Sequence, residues 1–211
     1  MRRRLLGSPT VVTLGLFLGV FLCQRLVAAV AGGVTMQSLF VLTTPVARNP
    51  WTLVTSVYAH SGFSHLIANA IALAFVGILL ERQTTAARFH VFFVVTGALS
   101  GLAEVWVAPL TGAVLGGPTQ ASVLGGSGAI FALAGYLLTS NRLTDRVVGS
   151  IRLSPRVQIA AFAAIAIVVT LATARPQVAL VAHFTGLFLG LFAGRAHVLR
   201  PRQQEPRPEP V

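Results

Sequence analysis

An all-α membrane bundle is the fold class this sequence predicts, and three observations carry that prediction. The first is composition: 55% of the 211 residues are apolar, the mean hydropathy is +0.78, and only 10% are charged, where a soluble domain carries about 25%. The second is recurrence, since apolar runs of membrane-helix length follow one another along the whole chain, at 11–31, 64–81, 89–107, 122–140, 157–174 and 178–194. The third is the placement of arginine. With the N-terminus inside, all of the basic residues except Arg25, Arg48 and Arg175 fall on the cytoplasmic side, which is the positive-inside pattern. A net charge of +11 then reports orientation and contact with anionic lipid, not nucleic acid. Six spans nearly exhaust the chain. The expected organisation is a basic cytoplasmic N-terminus (1–10), one six-span domain (11–198) and a disordered cytoplasmic tail (199–211), in a multi-pass protein of the cell membrane with both termini cytoplasmic.

The first span, 11–31, follows Arg2, Arg3 and Arg4 and contains Cys23 and Arg25. Cys23 is the single cysteine, so no intrachain disulfide is available. Arg25 lies in the outer half, where it either snorkels outward or faces protein. The same stretch also fits a signal peptide cleaved after Ala31, because Ala29-Val30-Ala31 is an A-x-A site; five spans of unchanged orientation would remain. The second span, 64–81, ends at Glu81 and Arg82, where the acid is expected to pair or to snorkel. The third, 89–107, carries Glu104 near its outer end, read as an interfacial acid. His90 and His197 fall at cytoplasmic helix ends and are expected to be solvated there.

The fourth span is the informative one. Gly125-Gly126-Ser127-Gly128 opens an apolar helix that ends by Asn141 and Arg142, and at about 1.5 Å per residue that helix is roughly 20 Å long, against the roughly 30 Å of a hydrocarbon core. The chain therefore enters the membrane partly as loop. Irregular backbone at that depth is tolerated only where protein buries it or water reaches it. The sixth span, 178–194, carries His183 and a ladder of small residues at Ala182, Gly186, Gly190 and Gly194, the spacing that lets helix backbones approach closely. The tail RPRQQEPRPEPV is proline-rich and has no apolar face.

Counted from the arginine that ends each span, Ser127, His183, Asn69 and His65 stand at roughly 22, 18, 20 and 25 Å. A hydroxyl, two imidazoles and an amide from three spans thus share one depth. Unpartnered, each would cost several kcal/mol in hydrocarbon, so they must bond one another or water. The same set is what acyl transfer needs: a hydroxyl beside an imidazole that takes its proton, and donors aimed at a developing oxyanion. His65 and Asn69 are four apart and share a helix face; Phe131 is four beyond Ser127 and can support the histidine. Each feature also has a plainer explanation, G-x-S-G as a packing motif, Phe131 as core, the glycine ladder as packing alone. No aspartate lies at this depth, which limits a serine hydrolase here to a two-residue serine and histidine arrangement.

The run from Trp51 to Asn69, then Gly125 to Gly128, then Ala182-His183-Phe184-Thr185-Gly186 with Gly190 resembles the rhomboid intramembrane serine proteases, over nearly the whole chain. The resemblance implies a rhomboid bundle whose short fourth helix starts inside the membrane. It implies Ser127 as nucleophile, His183 as general base, and His65 and Asn69 with the Ser127 amide as oxyanion donors. His60 would be structural or water-organising, and Gly125, Gly126, Gly128, Phe131, Gly186 and Gly190 supporting. It implies no metal and no cofactor, and as partners single-span membrane proteins cut near the outer face within a lipid bilayer. The chain departs from the family pattern at Trp51-Thr52, where Trp-Arg is common, and at Phe131, where tyrosine is common. Two rivals stand beside this expectation: a non-catalytic rhomboid-like binder of transmembrane clients, and a small transporter or metal-handling channel using His60, His65 and His183.

Overall fold

In a computed structural model, residues 7–116, 120–140, 154–174 and 178–201 are described. Arg2, Arg3, Arg4, Arg142, Arg146, Arg152, Arg175, Arg202 and Arg207 lie outside the described residues, as does most of the tail. The chain is mostly helical: α1 (Pro9–Phe40), β1 (Leu42–Thr43), a 3-10 turn (Val46–Arg48), α2 (Thr52–Tyr58), α3 (Phe63–Glu81), α4 (Ala86–Leu115), β2 (Ser122–Val123), α5 (Ser127–Thr139), α6 (Pro155–Ala172) and α7 (Leu180–Arg195). Four of these, α1, α3, α4 and α6, are long and apolar enough to cross a membrane; α5 and α7 are apolar but shorter.

Several boundaries differ from expectation. The first span extends to Phe40 through a break at Gly32, whose φ of 83° falls in the region that favours glycine. The third continues past 107 to Leu115. The fourth is helical from Ser127, at the glycine turn where its helix is read to open; what differs is that 122–123 ahead of it form a strand, β1 and β2 pairing antiparallel with Leu42 opposite Val123 and Thr43 opposite Ser122. Alternation over two residues is too short to read from sequence. Leu199 is buried against Tyr136, and the Leu199 amide donates to the Tyr136 hydroxyl at 3.3 Å. Leu199 thus packs into the core one residue beyond 198.

α5 is the axis of the bundle. Gly128, Ala129, Ile130, Ala132, Leu133, Gly135, Tyr136 and Thr139 are all buried on it, packed against α3, α4 and above all α7. The α5–α7 contact is made by backbone. A Cβ on Gly186 would collide with the Gly128 carbonyl oxygen, one on Gly190 with the Ala132 carbonyl oxygen, and one on Gly135 would lie 2.5 Å from the Leu187 carbonyl oxygen. Removing side chains lets the helices approach and recover dispersion contacts that lipid tails would otherwise provide. Thr139 Oγ1 adds an interhelical bond to the Leu191 carbonyl at 2.8 Å.

The two carboxylates among the described residues are used in one way, at helix starts. Glu81, expected to pair or to snorkel, accepts from the Ser8 hydroxyl at 2.6 Å and the Thr10 amide at 3.3 Å, capping α1. Glu104, expected at the interface, is buried and accepts from the Ala182 amide at 2.9 Å and from Val181, capping α7. Both placements follow from the amides of a helix's first turn, which have no partner within the helix and attract negative charge. Arg25 is exposed with its guanidinium 5.1 Å from the Phe21 ring, and Cys23 is exposed and free.

Candidate active site

Ser127 is the first residue of α5, and the turn before it is held by three contacts. The Gly125 amide donates to the Ser56 carbonyl at 2.8 Å. Gly125 has a φ of 133°, which a Cβ would strain, and Gly126 is pressed against the Phe17 ring and the Val57 carbonyl. The Gly126 cap has no side-chain bond, so the Ser127 amide belongs to a first turn whose donors look outward.

His183 sits in the first turn of α7. Its Nε2 lies 2.9 Å from Ser127 Oγ, an ordinary hydrogen bond across two helices. Phe131 stacks on the imidazole, ring centroids 4.2 Å apart and planes at 23°, so the ring is held at one tilt. Nδ1 of His183 has no partner among the described residues. The helix that carries it has no side-chain cap of its own at Ala179; Glu104 supplies one from α4, bonding the amide next in sequence to His183. Sequence reasoning missed this, although an acid at membrane depth is costly enough to demand a partner.

His65 and Asn69 face the same space. A cavity of about 670 Å³ is lined by His65, Asn69, Ser127, Phe131 and His183, with Ser122 to Leu124 and Val41 along one wall. Asn69 is buried and spends one Nδ2 hydrogen on the His65 carbonyl at 3.0 Å, leaving the other. His65 Nδ1 is 3.1 Å from Ser61 Oγ. His60 stands behind this wall, fully buried, its amide bonded to Gln24 Oε1 at 2.9 Å and its ring edge-on to Phe17 and His65 at 4.6 and 5.2 Å. Burial, and next the neighbouring His65, hold the His60 imidazole down at about 4, so it is neutral. Gly128 sits under Ser100, and Gly186 and Gly190 under α5, as packing residues. Trp51 donates Nε1–H to the Ser38 carbonyl at 3.0 Å, and Thr52 is buried with its hydroxyl on the Asn49 carbonyl at 2.6 Å; the loop packs without an arginine there. Among the described residues no group of three or more potential metal ligands converges.

These features define a class: a multi-pass helical membrane protein with a serine and an imidazole in contact inside an open cavity. The Rhomboid domain model matches residues 47–200, and the chain belongs to the rhomboid family. It is 31% identical over 153 residues to RHOMBOID-like protein 5 of Arabidopsis thaliana, covering 72% of this chain and 45% of that protein. It is 27% identical over 153 residues to RHOMBOID-like protein 1 of the same plant, covering 72% and 36%. It is 33% identical over 95 residues to rhomboid protease GluP of Bacillus subtilis (strain 168), covering 44% and 17%. The chain thus spans less than half the length of each of these three relatives.

Proposed function

We propose that this chain is an intramembrane serine endopeptidase of six spans, with cytoplasmic termini, that cuts single-span membrane proteins near the outer face. The observation that carries the reading is the 2.9 Å contact between Ser127 Oγ and His183 Nε2 within a cavity that also holds His65 and Asn69. His183 Nε2 takes the hydroxyl proton as Oγ attacks the scissile carbonyl carbon. The oxyanion is met by the Ser127 amide, by the free Nδ2 hydrogen of Asn69 and by His65. The C–N bond then breaks, the amine leaves with the proton from His183, and an ester to Ser127 remains. Water, deprotonated by the same imidazole, releases the acid and restores the hydroxyl.

A substrate helix hides its carbonyls in its own hydrogen bonds, so the segment entering the cavity must unwind, and small or helix-breaking residues favour that. The test is cleavage of a panel of single-span substrates in liposomes by wild type, Ser127→Ala and His183→Ala, together with fluorophosphonate labelling. Expected are cleavage and labelling in wild type and loss of both in each variant. Absence of both in folded wild type would favour a non-catalytic binder of transmembrane clients. Metal-dependent transport by a folded but non-cleaving protein would favour the channel.

A further inference from the structure

We propose that Ser61 is a positioning residue that fixes the tautomer and aim of His65, a role that rests on the oxyanion assignment above. The hydroxyl of Ser61, exposed at the cavity mouth, is 3.1 Å from His65 Nδ1. A hydroxyl at that position either donates to a bare Nδ1 or accepts from a protonated one. Two further observations choose between them.

The first is where the opposite edge of the ring points. A Cβ built on Gly125 would lie 2.8 Å from His65 Cε1 and 3.0 Å from Nε2, but 4.0 Å from Nδ1. The Cε1–Nε2 edge therefore lies against the turn that leads into Ser127, and Nδ1 faces away from it. The second is what that turn offers. The Gly125 amide, the backbone donor nearest the ring, is committed to the Ser56 carbonyl, so it is not available to a bare Nε2. An Nε2 that carries the proton needs no donor and is itself one. With Ser61 donating to Nδ1, the neutral ring must hold its proton on Nε2, turned toward the place where the oxyanion forms. With the roles reversed, a lone pair would face the oxyanion and repel it.

A serine next to the Gly62 cap is placed where it could cap α3, but α3 has no side-chain cap bond. The hydroxyl is on the imidazole. Nothing in the motif from Trp51 to Asn69 marks the position, because a serine ahead of a helix is ordinarily read as a cap.

The experiment reads the tautomer directly and independently of catalysis. Protein labelled with 15N at histidine, in detergent micelles, is compared as wild type, Ser61→Ala and Ser61→Thr, with the His65 signals identified by their loss in His65→Ala. Expected is an unprotonated Nδ1 and a protonated Nε2 in wild type, a mixture of tautomers in Ser61→Ala, and the wild-type pattern in Ser61→Thr. In proteolysis Ser61→Ala lowers kcat on the order of tenfold at unchanged KM, less than the roughly 10²–10³ lost with an entire oxyanion donor. Ser61→Thr recovers kcat, and Ser61→Ala has no further effect in a His65→Ala background. A protonated Nδ1 in wild type, an unaltered tautomer in folded Ser61→Ala, or additive kcat losses would each overturn the proposal. If wild type cleaves no substrate, the endopeptidase reading fails, and the nitrogen spectrum still decides the assignment of Ser61.

Discussion

At the scale of single residues the site is a set of rings held at defined tilts. Phe131 fixes His183 by stacking, so Phe131→Ala is expected to lower kcat by about tenfold, in line with the contribution of positioning to proton transfer, while Phe131→Tyr stays near wild type. Steady-state cleavage of one substrate by the three proteins checks this. His60 acts through stability: its folded-state value of about 4 lies below the ordinary 6.5, so the native state favours the neutral ring. Its contribution is complete above about pH 6.5 and is lost as pH falls toward 4. Thermal melts in detergent across that window should show a decline that is shallower in His60→Phe; equal slopes in the two proteins would contradict the assignment. The spacing of Ser127, Phe131, His65, Asn69 and His183 made their meeting legible from sequence, because helix rise converts position into depth. Ser61 and Glu104 were not legible, since their partners are a ring nitrogen and a backbone amide, groups that no residue pattern specifies.

At the scale of elements, the α5–α7 pair decides whether those rings meet. Gly186 and Gly190 lie directly under carbonyl oxygens of α5, and relief of an added methyl requires the helices to move apart. Gly186→Ala is expected to destabilise the fold by about 1–3 kcal/mol, as overpacking of a rigid site does, and to reduce fluorophosphonate labelling even below its melting temperature. Gly15→Ala, on the exposed face of α1 where a Cβ meets nothing within 4 Å, serves as the unaffected comparison. The Glu104 cap belongs to the same scale. Glu104→Ala leaves the Ala182 amide without its acceptor in a buried place, at a cost of about 1–3 kcal/mol, whereas Glu104→Gln retains an acceptor oxygen. A larger loss of labelling in the alanine variant than in the glutamine variant is the expected result. The ladder of small residues announced a close contact, but the loops did not announce theirs: β1 and β2 pair over two residues each, and α2 is a seven-residue helix, both too short for a periodic signal.

At the scale of the whole molecule, the described residues form one packed body from the start of α1 to the turn after α7. Ser8 and Thr10 are tied to Glu81, and Phe17 reaches across to press on Gly126. The segment that a cleaved leader would remove is thus in contact with the turn that carries Ser127. After α7, Leu199 closes the core beside Tyr136 and Leu80, and Arg88 bonds the carbonyls of Val198 and Arg200. Leu199→Ala is expected to lower stability by about 2–5 kcal/mol, as for other buried leucines, with little change in the kcat of the folded fraction; melting in detergent and cleavage by the surviving fraction separate the two effects.

The bare backbone contact between α5 and α7 also sets a tolerance. Sliding one helix past the other by a single residue means about 1.5 Å of travel and about 100° of rotation, enough to swing the imidazole wholly away from the hydroxyl. Carbonyl oxygens are seated where Gly186 and Gly190 lack a methyl, and a one-residue slip would set the side-chain-bearing positions Thr185 and Leu189, or Leu187 and Leu191, in their place. Alignment of the reacting pair is thus stored as notches, in the places where the chain has left atoms out.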